Sequence, residues 1–574
     1  MQTFIAKLSI LIPLLPLVAG LLIPILGKRI KENVYKIGLT AQVAAFFTAL
    51  LALYQVSVGG PIQIGPLSFF GGNGIIPFGL FIDRLTAVMM VLVTSVSIVI
   101  HIFASRYLQE EPGYTRFYTL LSLITFVLLA LVASPNLLML FVFWQLLSWT
   151  LYLLLAYNIT HLPSAQAAFK TLIILRIGDV FFLGGVILAY LVFGTLDFPL
   201  LFERAAAGPV SLSLLPGGLL TMDAVTAITL LIFIGAMSKS VQFPLHVWLP
   251  DTMHAPSPVS ALMHAGIVNS GGFLLSRLAP LYGLSPTSLH VVFAVGALTT
   301  LIGALIMLTV NDVKKMLGYS TIAQMGYMIM ECGLGAFALA IFHFIAHGLF
   351  KATLFLSSAS TIQAAREEPK FPHSVNDAKP PAAFSPLTWG TGLFTTLLLP
   401  LLILLAAHDL FHIPLEEAHG AVIFLFFSWV TSSQAIISLY RLNAVASWKV
   451  AGAMVLALIF IVFTYLWAGE LFTHFLFPEP GLADYYFQVA ALPPFLFDSA
   501  VIVATLLIVL VWVNHYAEAH GRKFSKPVWM TDLQERSYVL CINRFYIDTL
   551  YVCLNKRMIY LANLIDKRVL ARIP

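Results

Sequence analysis

The chain has 574 residues, of which 60% are hydrophobic and only 10% charged, with a formal net charge of +5 and a mean hydropathy of +0.93. That balance excludes a soluble globular domain and makes lipid the solvent. Its cysteines, Cys332, Cys541 and Cys553, lack the spacing of a zinc site, an iron-sulfur site or a disulfide framework. No glycine-rich phosphate-binding turn follows a strand. No metal, cofactor, nucleotide or nucleic acid is therefore expected on this chain, and no catalytic residue.

Apolar runs of roughly 20 residues, the length that crosses a bilayer core, recur from Leu8 to His515. About fifteen such runs are legible. Lipid offers the backbone no hydrogen-bond partner and the runs do not alternate like barrel strands, so an all-α polytopic membrane bundle is expected. The first run has no cleavage site after it and is followed by Gly27-Lys28-Arg29-Ile30-Lys31, which reads as a retained helix.

Basic residues cluster in alternate loops: Lys28 to Lys36, Arg106 with Arg116, Lys170, Lys314 with Lys315, Arg366 to Lys379, and Arg441 with Lys449; Arg204 is the main exception. The positive-inside rule then puts the N-terminus outside and the C-terminus in the cytoplasm, in a multi-pass protein of the inner (cytoplasmic) membrane. Residues 1–515 read as one transmembrane domain and 516–574 as a tail. The tail carries ten lysines and arginines against five acids, interleaved with apolar residues. Two readings stand for it: an amphipathic helix lying on the membrane or on a partner, or a simple positive-inside anchor.

Ionisable groups inside the apolar runs need a reason, because each costs at least ~2.5 to 3.5 kcal/mol near the bilayer centre. Arg176 and Asp179 lie three apart on one predicted helix face. They read equally as a neutralised pair that rigidifies the bundle or as a carboxylate that tunes Lys239. Lys239 ends the apolar stretch Leu231 to Ser238, and Pro244 then removes a backbone donor and breaks the helix. Broken helices in membranes mark ion sites. His264 follows, and His343, His347 and Lys351 line one face at four-residue spacing. A desolvated lysine and near-neutral histidines form a proton-passing chain. Zinc chelation by His343 and His347, or plain interhelical hydrogen bonding, are the competing readings. Asp83, at a helix end, is grouped with Gln145, Arg176 and Asp179 as a polar or ion-pair partner.

The runs Ser238-Lys239-Ser240-Val241-Gln242-Phe243-Pro244-Leu245-His246-Val247-Trp248-Leu249-Pro250-Asp251 and Ala255-Pro256-Ser257-Pro258-Val259-Ser260-Ala261-Leu262-Met263-His264-Ala265 resemble the antiporter-like subunits of respiratory complex I and of Mrp antiporters. So do Asp312 through Tyr327 and His343 through Ala352, and the likeness covers roughly Asp83 to Lys351. The resemblance implies two inverted five-helix repeats over about 115–443, each with a broken helix, here carrying Lys239 and Lys351. It also implies a hydrophilic axis through Lys239, His264, His347 and Lys351, in which a neighbouring ion pair modulates Lys239.

The chain departs from that pattern at Trp144-Gln145, where the family carries a glutamate after the tryptophan, and in the helix expected over Leu387 to Ala407, which has no lysine. Only His408 and Asp409, at the end of that helix, stand as a substitute exit. These departures, with Met263 through Leu274, are most similar to the membrane-subunit family of DAB inorganic carbon pumps. That resemblance implies a hetero-oligomer with a DabA-like cytoplasmic zinc protein related to β-carbonic anhydrases. This chain is then no enzyme but the proton-conducting subunit that drives CO2 hydration to bicarbonate. The alternatives are a proton-pumping subunit of a complex I-like NADH/quinone oxidoreductase and a component of an Mrp-type sodium/proton antiporter.

Overall fold

A computed structural model describes residues 2–65, 79–109, 113–157, 161–213, 221–367, 467–493 and 528–570, with isolated positions besides. Nine helices among the described residues are long and apolar enough to cross a membrane. In chain order the helices include α1 Gln2–Leu8, α2 Leu11–Ile30, α3 Val34–Gly59, α4 Arg84–Tyr107, α5 Tyr114–Val132, α6 Leu137–Leu155, α7 Leu162–Phe193, α8 Phe198–Ala206 and α9 Ala224–Lys239. They continue as α10 Ser257–Leu262, α11 Ser270–Arg277, α12 Ala279–Tyr282, α13 Pro286–Met307, α14 Val313–Gly333 and α15 Phe337–Glu367. Helices Val528–Ile542 and Ile547–Leu570 form the tail.

Helix starts follow local chemistry. Asp83, Asn136, Asp223 and Asp312 cap α4, α6, α9 and α14 by accepting from the backbone N–H three residues on, at 2.8 to 3.0 Å. Two short antiparallel hairpins, β1 Ile62–Ile64 with β2 Leu80–Ile82 and β3 Ser211–Ser213 with β4 Thr221–Asp223, lead into α4 and α9. The expectation of helices alone omitted them, because three-residue strands carry no periodic signal.

The chain breaks where Pro244 demands it. Helix α9 ends at Lys239, Val241 takes a left-handed φ of 50°, and regular α-structure resumes only at α10. Lipid forbids unpaired backbone, so the break is laced into its neighbours. Gly271 N–H donates to Ser240 Oγ at 2.8 Å, that hydroxyl donates to Val268 O at 2.6 Å, Phe243 N–H donates to Thr299 Oγ1 at 3.0 Å, and Trp248 Nε1 donates to Ser238 O at 2.9 Å. A one-turn π segment, Met263–Ile267, carries His264 between α10 and α11. Such bulges rotate the side chains that follow them and frequent functional sites.

Two glycines set close approaches. A Cβ on Gly235 of α9 would stand 2.7 Å from Phe182 Cβ of α7, and one on Gly348 of α15 would stand 2.6 Å from Ala265 O in the π segment. Neither distance is sterically allowed, so glycine is what lets these backbones approach. Lys351 lies in α15, which runs unbroken from Phe337 to Glu367. This corrects the break that the resemblance implied there: within α15 no proline interrupts the backbone ladder. The later part of the expected second repeat, toward 443, lies outside the described residues, as do His408 and Asp409.

Candidate functional site

Lys239 is 0% exposed and has no carboxylate within ion-pair distance among the described residues. Its ammonium donates to Trp144 O at 2.7 Å and stands 4.0 Å from the centre of the Trp144 ring. A desolvated ammonium over an indole gains ~2 kcal/mol from the ring quadrupole. The same indole donates from Nε1 to Asp179 Oδ1 at 3.0 Å, and Arg176 Nη1 lies 3.1 Å from Asp179 Oδ2. Gln145 adds a polar contact to this carboxylate. Asp179 thus pairs with Arg176 and reaches Lys239 through Trp144, a bridge that spacing could not reveal.

The second cluster is built on α14 and α15. Lys351, 2% exposed, donates to Ser320 Oγ at 2.9 Å and to Leu317 O at 3.4 Å, both neutral. His343 places Nδ1 3.0 Å from Glu331 Oε2 and Nε2 3.0 Å from Gln324 Oε1, so both ring nitrogens are engaged. His347 lies one turn on, its ring centre 6.0 Å from that of His343. His264 stacks on Phe355 of α15 at 4.2 Å, and neither His264 nor His347 has a side-chain nitrogen bonded within the described protein. Two buried imidazoles without a hydrogen-bond partner among the described residues have the chemistry to take or give a proton.

A third cluster joins the tail to the broken segment. Lys170 Nζ of α7 contacts Asp251 Oδ2 and Asp548 Oδ1, each at 2.7 Å. Arg544 Nη1 contacts Asp251 Oδ1 at 3.3 Å and Asp548 Oδ2 at 3.1 Å. The four charges alternate in a closed ring near His246, which is buried with neither nitrogen bonded within the described protein. Burial raises the Asp548 carboxyl, but the hydrogen bond and charge of Lys170, with those of Arg544, outweigh it and hold the group below its ordinary value.

The structure brings Lys239, Gln145, Arg176 and Asp179 together, and His264, His343, His347 and Lys351 in a second group. Asp83 belongs to neither. Its carboxylate takes a two-pronged bond from Arg277, Nη1 at 2.6 Å and Nη2 at 3.0 Å, and ties α4 to α11. The structure thus places Asp83 in an ion pair of its own, with a residue 194 positions away that no local pattern pairs with it. Glu331, His246 and Arg277 were missed. For Glu331 a signal was present, an acid inside Met328-Ile329-Met330 and Cys332.

The descriptions of known proteins agree with this architecture. Residues 134–410 match the transmembrane family model of NADH:quinone oxidoreductases and Mrp antiporters, and residues 71–118 match that of the complex I chain 5 N-terminus. The chain is 38% identical over 551 residues to the probable inorganic carbon transporter subunit DabB1 of Halothiobacillus neapolitanus, covering 95% of this chain and 96% of that one. It is 35% identical to NADH-quinone oxidoreductase subunit L of Neisseria meningitidis, over 68% of this chain and 58% of the relative. The fold of a solved Mrp complex from Dietzia sp. superposes with a TM-score of 0.59 at 21% identity, over 99% of this chain and 63% of that one. An archaeal membrane-bound sulfane sulfur reductase superposes at 0.54 and 20% identity, over 91% of this chain and 96% of the other. With a relative matched along nearly its whole length and the antiporter-like core recognised by family models, the chain belongs to the DabB family of multi-pass ion-transport subunits, among the antiporter-like proteins of complex I and Mrp.

Proposed function

We propose that this chain conducts protons and couples their gradient to inorganic carbon uptake, energising hydration of CO2 to bicarbonate by a DabA-like cytoplasmic zinc partner. The observation that carries the conducting part is Lys239: a fully buried amine whose only partners among the described residues are the carbonyl and ring of Trp144. A lysine so placed is ready to exchange its proton, and Asp179, held by Arg176, is the charge that biases it. The path then includes His264, His343, His347 and Lys351, and His408 and Asp409 are proposed as an exit from it. The carbon-uptake part is supported by the likeness to DabB1 along 95% of the chain.

In this reading the N-terminus is outside and the tail is in the cytoplasm of the inner membrane, where its basic helices offer the partner a docking surface. Zinc belongs to the partner. Residues 1–515 conduct and 516–574 dock. The second reading, a proton-pumping subunit of a complex I-like oxidoreductase or an Mrp-type antiporter, is favoured by the 35% identity to subunit L.

The test is affinity purification of the full chain from its native membrane, with identification of its companions and a zinc assay. A zinc-bearing carbonic-anhydrase-like companion is expected, together with loss of bicarbonate accumulation in Lys239→Ala. A set of quinone oxidoreductase subunits instead would remove the carbon-uptake reading and keep the conducting one.

A further inference from the structure

The hairpin of α14 and α15 holds a charged group that the proposed path does not use. Glu331 stands two residues before the end of α14 and is 1% exposed. A carboxylate so deep in an apolar run needs a partner or an ion to carry. Its Oε2 meets His343 Nδ1 at 3.0 Å, while Oε1 has no bond within the described protein. Among the described residues its titratable neighbours include Cys332, which follows it in α14, and Tyr327, whose ring packs 5.3 Å from that of His343.

Order along the hairpin gives the pair a direction. Lys351 contacts Leu317 and Ser320, toward the end of α14 that bears Lys314 and Lys315. His347 and His343 follow at one-turn intervals, and His343 reaches Gln324 and then Glu331. The row therefore advances from Lys351 to the opposite end of the hairpin, the turn 334–336. Gly335, at φ 78°, lies against the backbone of Tyr486 there, and Phe337 packs edge-on to the Tyr486 ring at 5.3 Å.

We propose that Glu331 is a proton-carrying residue that ends the histidine row and receives the proton of His343. The inference rests on the conducting reading of the chain. In the step, the Nδ1–H bond of the His343 imidazolium breaks as an O–H bond forms on Glu331 Oε2, and an ion pair becomes a neutral pair. Gln324 serves both states: its amide oxygen accepts from Nε2–H, which keeps its proton while Nδ1 gives its own to Glu331 and then accepts from the new O–H.

The experiment measures proton flux with a pH-sensitive dye in everted membrane vesicles holding the full chain and its co-purifying companions. Glu331→Gln keeps the volume and an acceptor oxygen for His343 but cannot titrate. It is expected to lose at least tenfold in flux at unchanged membrane yield, and Glu331→Asp to recover most of it with a shifted pH profile. Lys239→Ala is measured beside them. A Glu331→Gln variant conducting like the parent while Lys239→Ala is silent overturns the role of Glu331 and leaves the conducting reading intact. Full flux in both variants overturns both. Should Glu331→Gln fail to accumulate, Glu331→Asp decides: a shifted pH profile supports the proposal, and an unchanged one overturns it.

Discussion

Lys239 gives its ammonium to the carbonyl of Trp144 at 2.7 Å and to the face of the same residue's indole at 4.0 Å. Because the indole N–H also holds Asp179 at 3.0 Å, one side chain sets the distance between the lysine and its countercharge. Asp179 in turn leans on Arg176 at 3.1 Å. On the conducting reading, a change in that pair would reach Lys239 across the ring, without a direct contact being made or broken.

This arrangement separates charge from proton exchange. Lys239→Arg keeps a cation over Trp144, but a guanidinium does not release its proton. Proton flux in vesicles is expected to fall by roughly a hundredfold, about as far as in Lys239→Ala. Trp144→Phe keeps a ring face and the backbone carbonyl but removes the donor to Asp179, together with part of the buried indole's volume. A hydrogen bond to a charged group contributes ~1.5 kcal/mol or more, so a loss of roughly tenfold is expected. Normal conduction by Lys239→Arg would show that this lysine is a fixed charge and not a relay.

Much of the site was legible because lipid makes ionisable residues conspicuous. Lys239, His264, His343, His347 and Lys351 stood out from apolar runs, and Pro244 announced the break after α9. By the same rule Glu331 was readable too, as an acid between Met330 and Cys332 in an apolar run. What could not be read is pairing across the fold. Asp83 with Arg277 spans 194 positions, and Lys170 with Asp548 spans 378. Those contacts depend on how helices pack, which periodicity does not encode. The role of Trp144 was hidden for the same reason: an aromatic residue at helical spacing reads as core until its two polar neighbours are placed.

The tail ring predicts a pH and salt response. All four members are about one-quarter to one-third exposed, so salt screens them and each pair alone is weak. Asp548 sits below its ordinary value of 3.8, so its contribution to docking is complete above that pH and is lost as pH falls through the lower value of the docked state. Cys553 is exposed while Cys332 and Cys541 are buried, which allows a fluorophore to be placed on the tail helix alone. Its anisotropy is expected to stay level from about pH 8 to 5 and to drop only below about 4. Asp548→Asn and added salt should each lower it at neutral pH. An anisotropy that falls between pH 7 and 5 would instead point to a histidine such as His246.

Gly348 tests whether the two histidine-bearing segments must touch. A Cβ there would meet Ala265 O, a backbone atom, so no side-chain rearrangement relieves the clash and α15 has to move away from the π segment. His347 and His264 are the immediate neighbours of these two residues and would separate with them. Overpacking of this kind costs ~1 to 3 kcal/mol, so Gly348→Ala is expected to lower the thermal midpoint of the purified protein by several degrees. Flux is expected to fall at least tenfold, although every titratable residue remains. Gly266→Ala is the control: it lies in the same π segment, one residue from Ala265, and a Cβ on it meets nothing within 4 Å. Parent-like flux in Gly266→Ala with loss in Gly348→Ala assigns the effect to the spacing between α15 and His264. Equal flux in both would mean that the proton passes between these segments without needing the contact.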